Sequence, residues 1–128
     1  MEKKCSSFEA KIFVGLRAGY TNKIYGLIDV EEICQKFVDD VSLCVSITPT
    51  KFTYKEGREA GCIVGLINYP RFPSEDQKIK DLSLRLARLL MLTLEQFRVT
   101  VYFPDESIML ENEVMKSGIL EPQKNVTL

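Results

Sequence analysis

The sequence contains no histidine and no tryptophan, and its 17 Lys and Arg nearly balance its 18 Asp and Glu. Without histidine, the commonest general base and a common zinc ligand are both missing. The four cysteines, Cys5, Cys34, Cys44 and Cys62, include no Cys-x-x-Cys pair. They read as small core residues in a reducing compartment, and no metal site is expected. A net charge of −1 gives no electrostatic drive toward a long nucleic acid or an anionic membrane. No apolar run approaches the about 20 residues of a membrane span. The segment after the basic start, residues 8–16, alternates and is too polar for the apolar part of a signal peptide. These absences point to a cytoplasmic chain with no membrane partner, no cofactor and no catalytic residues.

What is present suits one globular domain. The 128 residues are 45% hydrophobic and 27% charged. The patterning places an α/β domain over residues 1–112 and a polar tail over 113–128. Residues 11–16 mix β-branched and aromatic side chains and predict a strand that ends near Gly15 and Gly19. Asp29, with Glu32 three residues on, has capping-box spacing, and Val30, Ile33, Cys34, Phe37, Val38 and Val41 follow a helical rhythm. Residues 43–54 predict a second strand, confined to a sheet edge by Pro49. A turn at Lys55-Glu56-Gly57-Arg58 leads to a third strand over 60–68. Ser74 and Gln77 form a second capping box before a helix over 75–95. In that helix Leu84, Met91, Leu92 and Leu94 widen the apolar stripe of Ile79, Leu82, Leu86 and Leu89, which predicts a homo-oligomer. A last strand covers 97–103, stopped by Pro104-Asp105.

The order βαββαβ predicts a ferredoxin-like fold, or a related mixed or antiparallel sheet with two helices on one face. With the first and third strands central and parallel, the loops 17–26 and 68–73 share one rim beside two helix N-termini, which favour anions. Arg17, Arg71 and Arg98 then supply charge for phosphate, Tyr20, Tyr69 and Phe72 supply flat faces for a base, and Asn68 reads its edge. These seven residues are the candidate ligand site. The plain alternative pairs Arg17 and Arg71 with Glu31, Glu75 or Asp76 and leaves Tyr69 and Phe72 to pack a turn.

Two families with this element order fit poorly. Acylphosphatases place a longer Gly-rich pattern around their first-loop arginine than Val14-Gly15-Leu16-Arg17 offers. RNA-recognition modules carry stacking aromatics on the third strand, where this chain has Ala60-Gly61-Cys62-Ile63-Val64-Gly65. From Phe8 to about Asn112, the chain resembles small phage proteins of the Thoeris anti-defence family, the first-described type. The resemblance rests on the element order, on Gly15-Leu16-Arg17-Ala18-Gly19-Tyr20-Thr21, and on Gly65-Leu66-Ile67-Asn68-Tyr69-Pro70-Arg71-Phe72-Pro73. It implies a non-enzymatic sponge, acting in the cytoplasm of a bacterial host, that sequesters a cyclic nucleotide immune signal. The signal would be a cyclic ADP-ribose isomer, with cyclic oligonucleotides as further ligands and a dimer or hexamer as the assembly. A protein-interaction or RNA-recognition-like module with no small ligand is the alternative.

Overall fold

A computed structural model describes residues 1–116. They form β1 (Glu9–Gly15), α1 (Leu27–Val41), β2 (Ser46–Tyr54), β3 (Gly57–Ile67), α2 (Asp76–Thr93), β4 (Arg98–Tyr102), β5 (Ser107–Glu111) and the one-turn α3 (Glu113–Lys116). Side-chain alternation decides how the sheet sits. Ala10, Ile12 and Val14 of β1 are fully buried, as are Cys62 and Val64 of β3 and Val99 and Val101 of β4. They share a core with Val30, Cys34 and Phe37 of α1 and with Ile79, Leu86 and Leu90 of α2. Both long helices therefore cover one face. The other face carries Lys11, Phe13, Gly15, Glu59, Gly61, Ile63 and Thr100 with no helix over it.

The sheet has the order β2-β3-β1-β4-β5, and every neighbouring pair is antiparallel. This is the α+β architecture expected, with helices on one face and with Pro49 on the edge strand β2. One expectation is corrected: β1 and β3 are neighbours but run antiparallel, with Glu9 opposite Ile67 and Gly15 opposite Gly61. The helical crossover returns β2 parallel to β1, and the tight turn at Lys55-Glu56 then reverses β3 into the gap between them. The loops leaving β1 and β3 thus lie at opposite ends of the sheet, so the shared rim does not exist.

Other local readings shift for local reasons. Gly26, not Asp29, stands at the N-cap of α1, and Asp29 caps from inside the first turn by accepting the Gly26 N–H at 2.8 Å. The capping box at Ser74 does not form. Ser74 N–H goes to Asn68 Oδ1, and Gln77 bonds Asp81 instead. Residues 107–111, to which the sequence pattern assigned no element, are a strand, because they fold back on β4 with Arg98 opposite Glu111. The predicted tail begins in α3, and its residues 117–128 lie outside the described residues. In α2 and at its C-cap, Leu82, Leu86, Met91 and Leu94 are buried, whereas Leu89 and Leu92 are exposed. Most of the broad apolar arc is therefore core. Among the described residues, no helix is long and apolar enough to cross a membrane.

Candidate functional site

Two glycines let neighbouring side chains close in on the uncovered face. Gly15 of β1 and Gly61 of β3 stand directly opposite one another. A Cβ on Gly61 would strike the Phe52 ring and come within 2.6 Å of the Val14 carbonyl. A Cβ on Gly15 would lie 2.7 Å from Gln96 Oε1 and 3.2 Å from Glu59 Oε2. Without side chains there, Phe52 leans over the sheet from one side while Glu59 and Gln96 close in from the other. Phe13 meets Phe52 edge-on at 6.4 Å, so this part of the face carries an aromatic pair.

The loop after β1 frames the opposite side. Tyr25 N–H bonds Leu16 O at 2.8 Å, and Ala18 N–H bonds Lys23 O at 2.9 Å. Gly19 has φ +51, a left-handed conformation that suits glycine, and its N–H reaches Glu95 O at 2.9 Å. Glu95 in turn accepts from the Tyr25 hydroxyl and from Lys23 Nζ, and the Tyr25 bond leads in holding its carboxyl below the usual range. Tyr20 stacks on Phe97 with centroids 4.7 Å apart. This pinning sets Arg17 beside Glu59, and Arg17 Nε is buried without a hydrogen-bond partner among the described residues.

Glu59 is half-buried, and desolvation raises its carboxyl pKa above the ordinary value, although the Arg17 charge pulls the other way. A carboxyl in that setting, next to a guanidinium and a buried carboxamide, is the most chemically poised group described. The register of β1 with β4 carries Arg98 to the same end, two residues from the Phe13–Thr100 pair. The thiols offer nothing comparable. Burial pushes Cys34 up to about 12 and Cys62 to about 11, and both stay protonated. Cys44, expected in the core, is exposed and donates to Tyr69 Oη at 3.5 Å.

Of the seven residues expected to share a rim, Arg17, Tyr20 and Arg98 are at this end. Asn68, Tyr69, Arg71 and Phe72 are at the other, because β1 and β3 are antiparallel. Asn68 is buried, its Nδ2 bonds Ser6 O at 2.8 Å and its Oδ1 accepts from Ser74 N–H at 2.9 Å. Those bonds tie the N-terminal segment to the turn before α2. Tyr69 and Phe72 stack on each other at 5.3 Å, and Arg71 is exposed. Glu59 and Gln96 escape a sequence reading, as neither belongs to a motif. The available signal was Glu59 flanked at i−2 and i+2 by Gly57 and Gly61, which bares the strand face around one carboxyl.

Among the described residues, no group of His, Cys, Asp or Glu could hold a metal. No protein-family model matches the chain, and no curated protein does. Two solved structures share its fold. A phage SAM lyase in complex with S-methyl-5'-thioadenosine matches at TM-score 0.75 and 17% identity, covering 88% of this chain and 95% of that one. The phage SAM lyase in its apo state matches at TM-score 0.75 and 19% identity, covering 88% and 96%. These matches overturn the exclusion of catalysis drawn from the missing histidine, because both structures are of an enzyme. Identity this low speaks for the fold alone: over 88% of its length, this chain folds as the phage SAM lyase folds.

Proposed function

We propose that this chain is a lyase for a sulfonium nucleoside of the S-adenosylmethionine type, releasing a thioether nucleoside without consuming water. The fold shared with a phage SAM lyase over 88% of the chain carries this reading. The chemistry explains why histidine is dispensable. A sulfonium sulfur leaves as a neutral thioether, taking the C–S electron pair and needing no proton. The substrate's own carboxylate can supply the electron pair to the carbon, closing a ring. Such a reaction asks the protein for placement, desolvation and fixed charge. Arg17 suits the carboxylate, Glu59 suits the substrate's positive end, and Phe13 and Phe52 suit the base.

The test is incubation of the purified protein with S-adenosylmethionine, with S-methyl-5'-thioadenosine followed by chromatography. Formation well above a protein-free control is expected. Glu59→Gln should lower it by about 100-fold or more, the usual loss when a fixed electrostatic group is removed. No turnover, with no heat of binding, would refute the proposal. A second reading has one observation in its favour: the segment Gly15–Thr21, which resembles the Thoeris anti-defence proteins, borders this site. A cyclic ADP-ribose isomer, also an adenine nucleotide, would then be the ligand. Its intact recovery from heat-denatured protein, with S-adenosylmethionine untouched, would favour that reading.

A further inference from the structure

Gln96 is 7% exposed, held between the loop after β1 and the start of β4. Its Nε2 donates to Arg17 O at 2.8 Å and to Leu94 O at 2.9 Å, which engages both amide hydrogens. Those partners fix the carboxamide orientation and turn Oε1 toward Gly15. The backbone is held as well, with Gln96 N–H on Met91 O at 2.9 Å and Asn112 Nδ2 on Gln96 O at 3.0 Å. The oxygen therefore cannot swing away from a neighbour.

That neighbour is the Glu59 carboxyl. Gln96 Oε1 and Glu59 Oε2 would sit 2.7 Å and 3.2 Å from a single Cβ on Gly15. Two acceptor oxygens that border one point can be bridged by a single group carrying several N–H donors. We propose that Gln96 is a positioning residue: its locked oxygen, admitted by the missing side chain of Gly15, forms with the Glu59 carboxyl a two-oxygen receptor for a ligand ammonium group. An ammonium brings three N–H donors, whereas a sulfonium brings none, so this receptor selects the amino-acid end of the ligand. The inference rests on the lyase reading only for the nucleoside that carries the ammonium.

In the empty protein burial favours the protonated form of Glu59. Ammonium binding should release this proton to solvent, and affinity should rise as pH rises through the Glu59 titration. The other charges at this end are Arg17, Lys23 and Glu95 around the loop after β1, and Arg98 opposite Glu111 on β4 and β5; the β2 residue opposite Glu59 is the uncharged Phe52. Arg17 favours ionised Glu59 and remains in every variant.

The test is calorimetric titration with S-adenosylhomocysteine, which carries the ammonium, and with S-methyl-5'-thioadenosine, which lacks it. Buffers of two ionisation enthalpies count the protons. Release is expected with the first ligand and not with the second. Gly15→Ala and Gln96→Met should weaken the first by about tenfold, one charge-assisted hydrogen bond, and leave the second unchanged. Carbon NMR of the Glu59 carboxyl without ligand gives an independent reading, with the midpoint expected to fall in both variants. Should Gln96→Met fail to fold, Gly15→Ala carries the test, since it keeps both carboxamide donors bonded. Equal weakening of both ligands, or an unmoved midpoint with unchanged selectivity, would overturn the positioning role. A falling midpoint in a protein that binds neither ligand would instead overturn the nucleoside reading and leave the positioning role standing.

Discussion

The two ends of the sheet hold similar residue types and use them in opposite ways. At the end where β3 runs out, the buried Asn68 has its donor on Ser6 and its acceptor on Ser74, and Tyr69 and Phe72 stack on one another. At the other end, Gln96 is equally buried, yet among the described residues it engages only its donors and leaves an oxygen beside a glycine that a half-buried carboxyl also borders. A buried amide whose partners are all internal holds a fold together. One that turns an acceptor onto a glycine that a second acceptor also borders is arranged for something that arrives later.

Beyond the turnover lost in Glu59→Gln, the comparison is sharpened most by Asn68→Ala. It would strand the Ser74 N–H and the Ser6 carbonyl, at a cost of about 1–3 kcal/mol. A drop of several degrees in melting temperature is expected, with nucleoside affinity unchanged. Lost affinity in a folded Asn68→Ala protein would erase the distinction between the two ends.

Glu59→Gln should do the reverse for stability. Because the folded pKa of Glu59 is raised, its protonated form contributes stability that is complete below the unfolded value of about 4.3. That contribution is lost as pH rises through the folded value, where an ionised carboxylate burdens the fold. Glutamine cannot ionise, so the variant should match the parent near pH 3 and exceed it at neutral pH in denaturant titrations. A variant less stable than the parent at neutral pH would mean that the Arg17 attraction outweighs burial. The smallest effect belongs to Arg71→Ala, an exposed side chain at the end where the hydrogen bonds close on themselves. Melting temperature and calorimetric affinity should both stay at parental values, and weaker binding would bring that end into the site.

The helices were legible because their apolar stripes recur at helical spacing, and β2 was legible as an edge because proline cannot donate to a ladder. β5 was not, since Ser107–Glu111 becomes a strand only through its pairing with β4. Arg17, Tyr20 and Arg98 stood out as charged or aromatic residues near strand ends. Glu59 and Gln96 did not, because a lone carboxylate and a lone amide carry no local signature.

The sequence by itself determined the α+β class, the one-sided helical cover and the absence of a histidine-based site, since each follows from composition or from periods of two and 3.6. Only the tertiary structure decided the direction of β3 beside β1. That one choice divided the expected rim between two ends and set Gly15 opposite Gly61. Periodicity tells which face of a strand is buried and not which strand lies beside it or in which sense. A site made of a gap between two strands and two side chains reaching over it exists only after pairing and register are set.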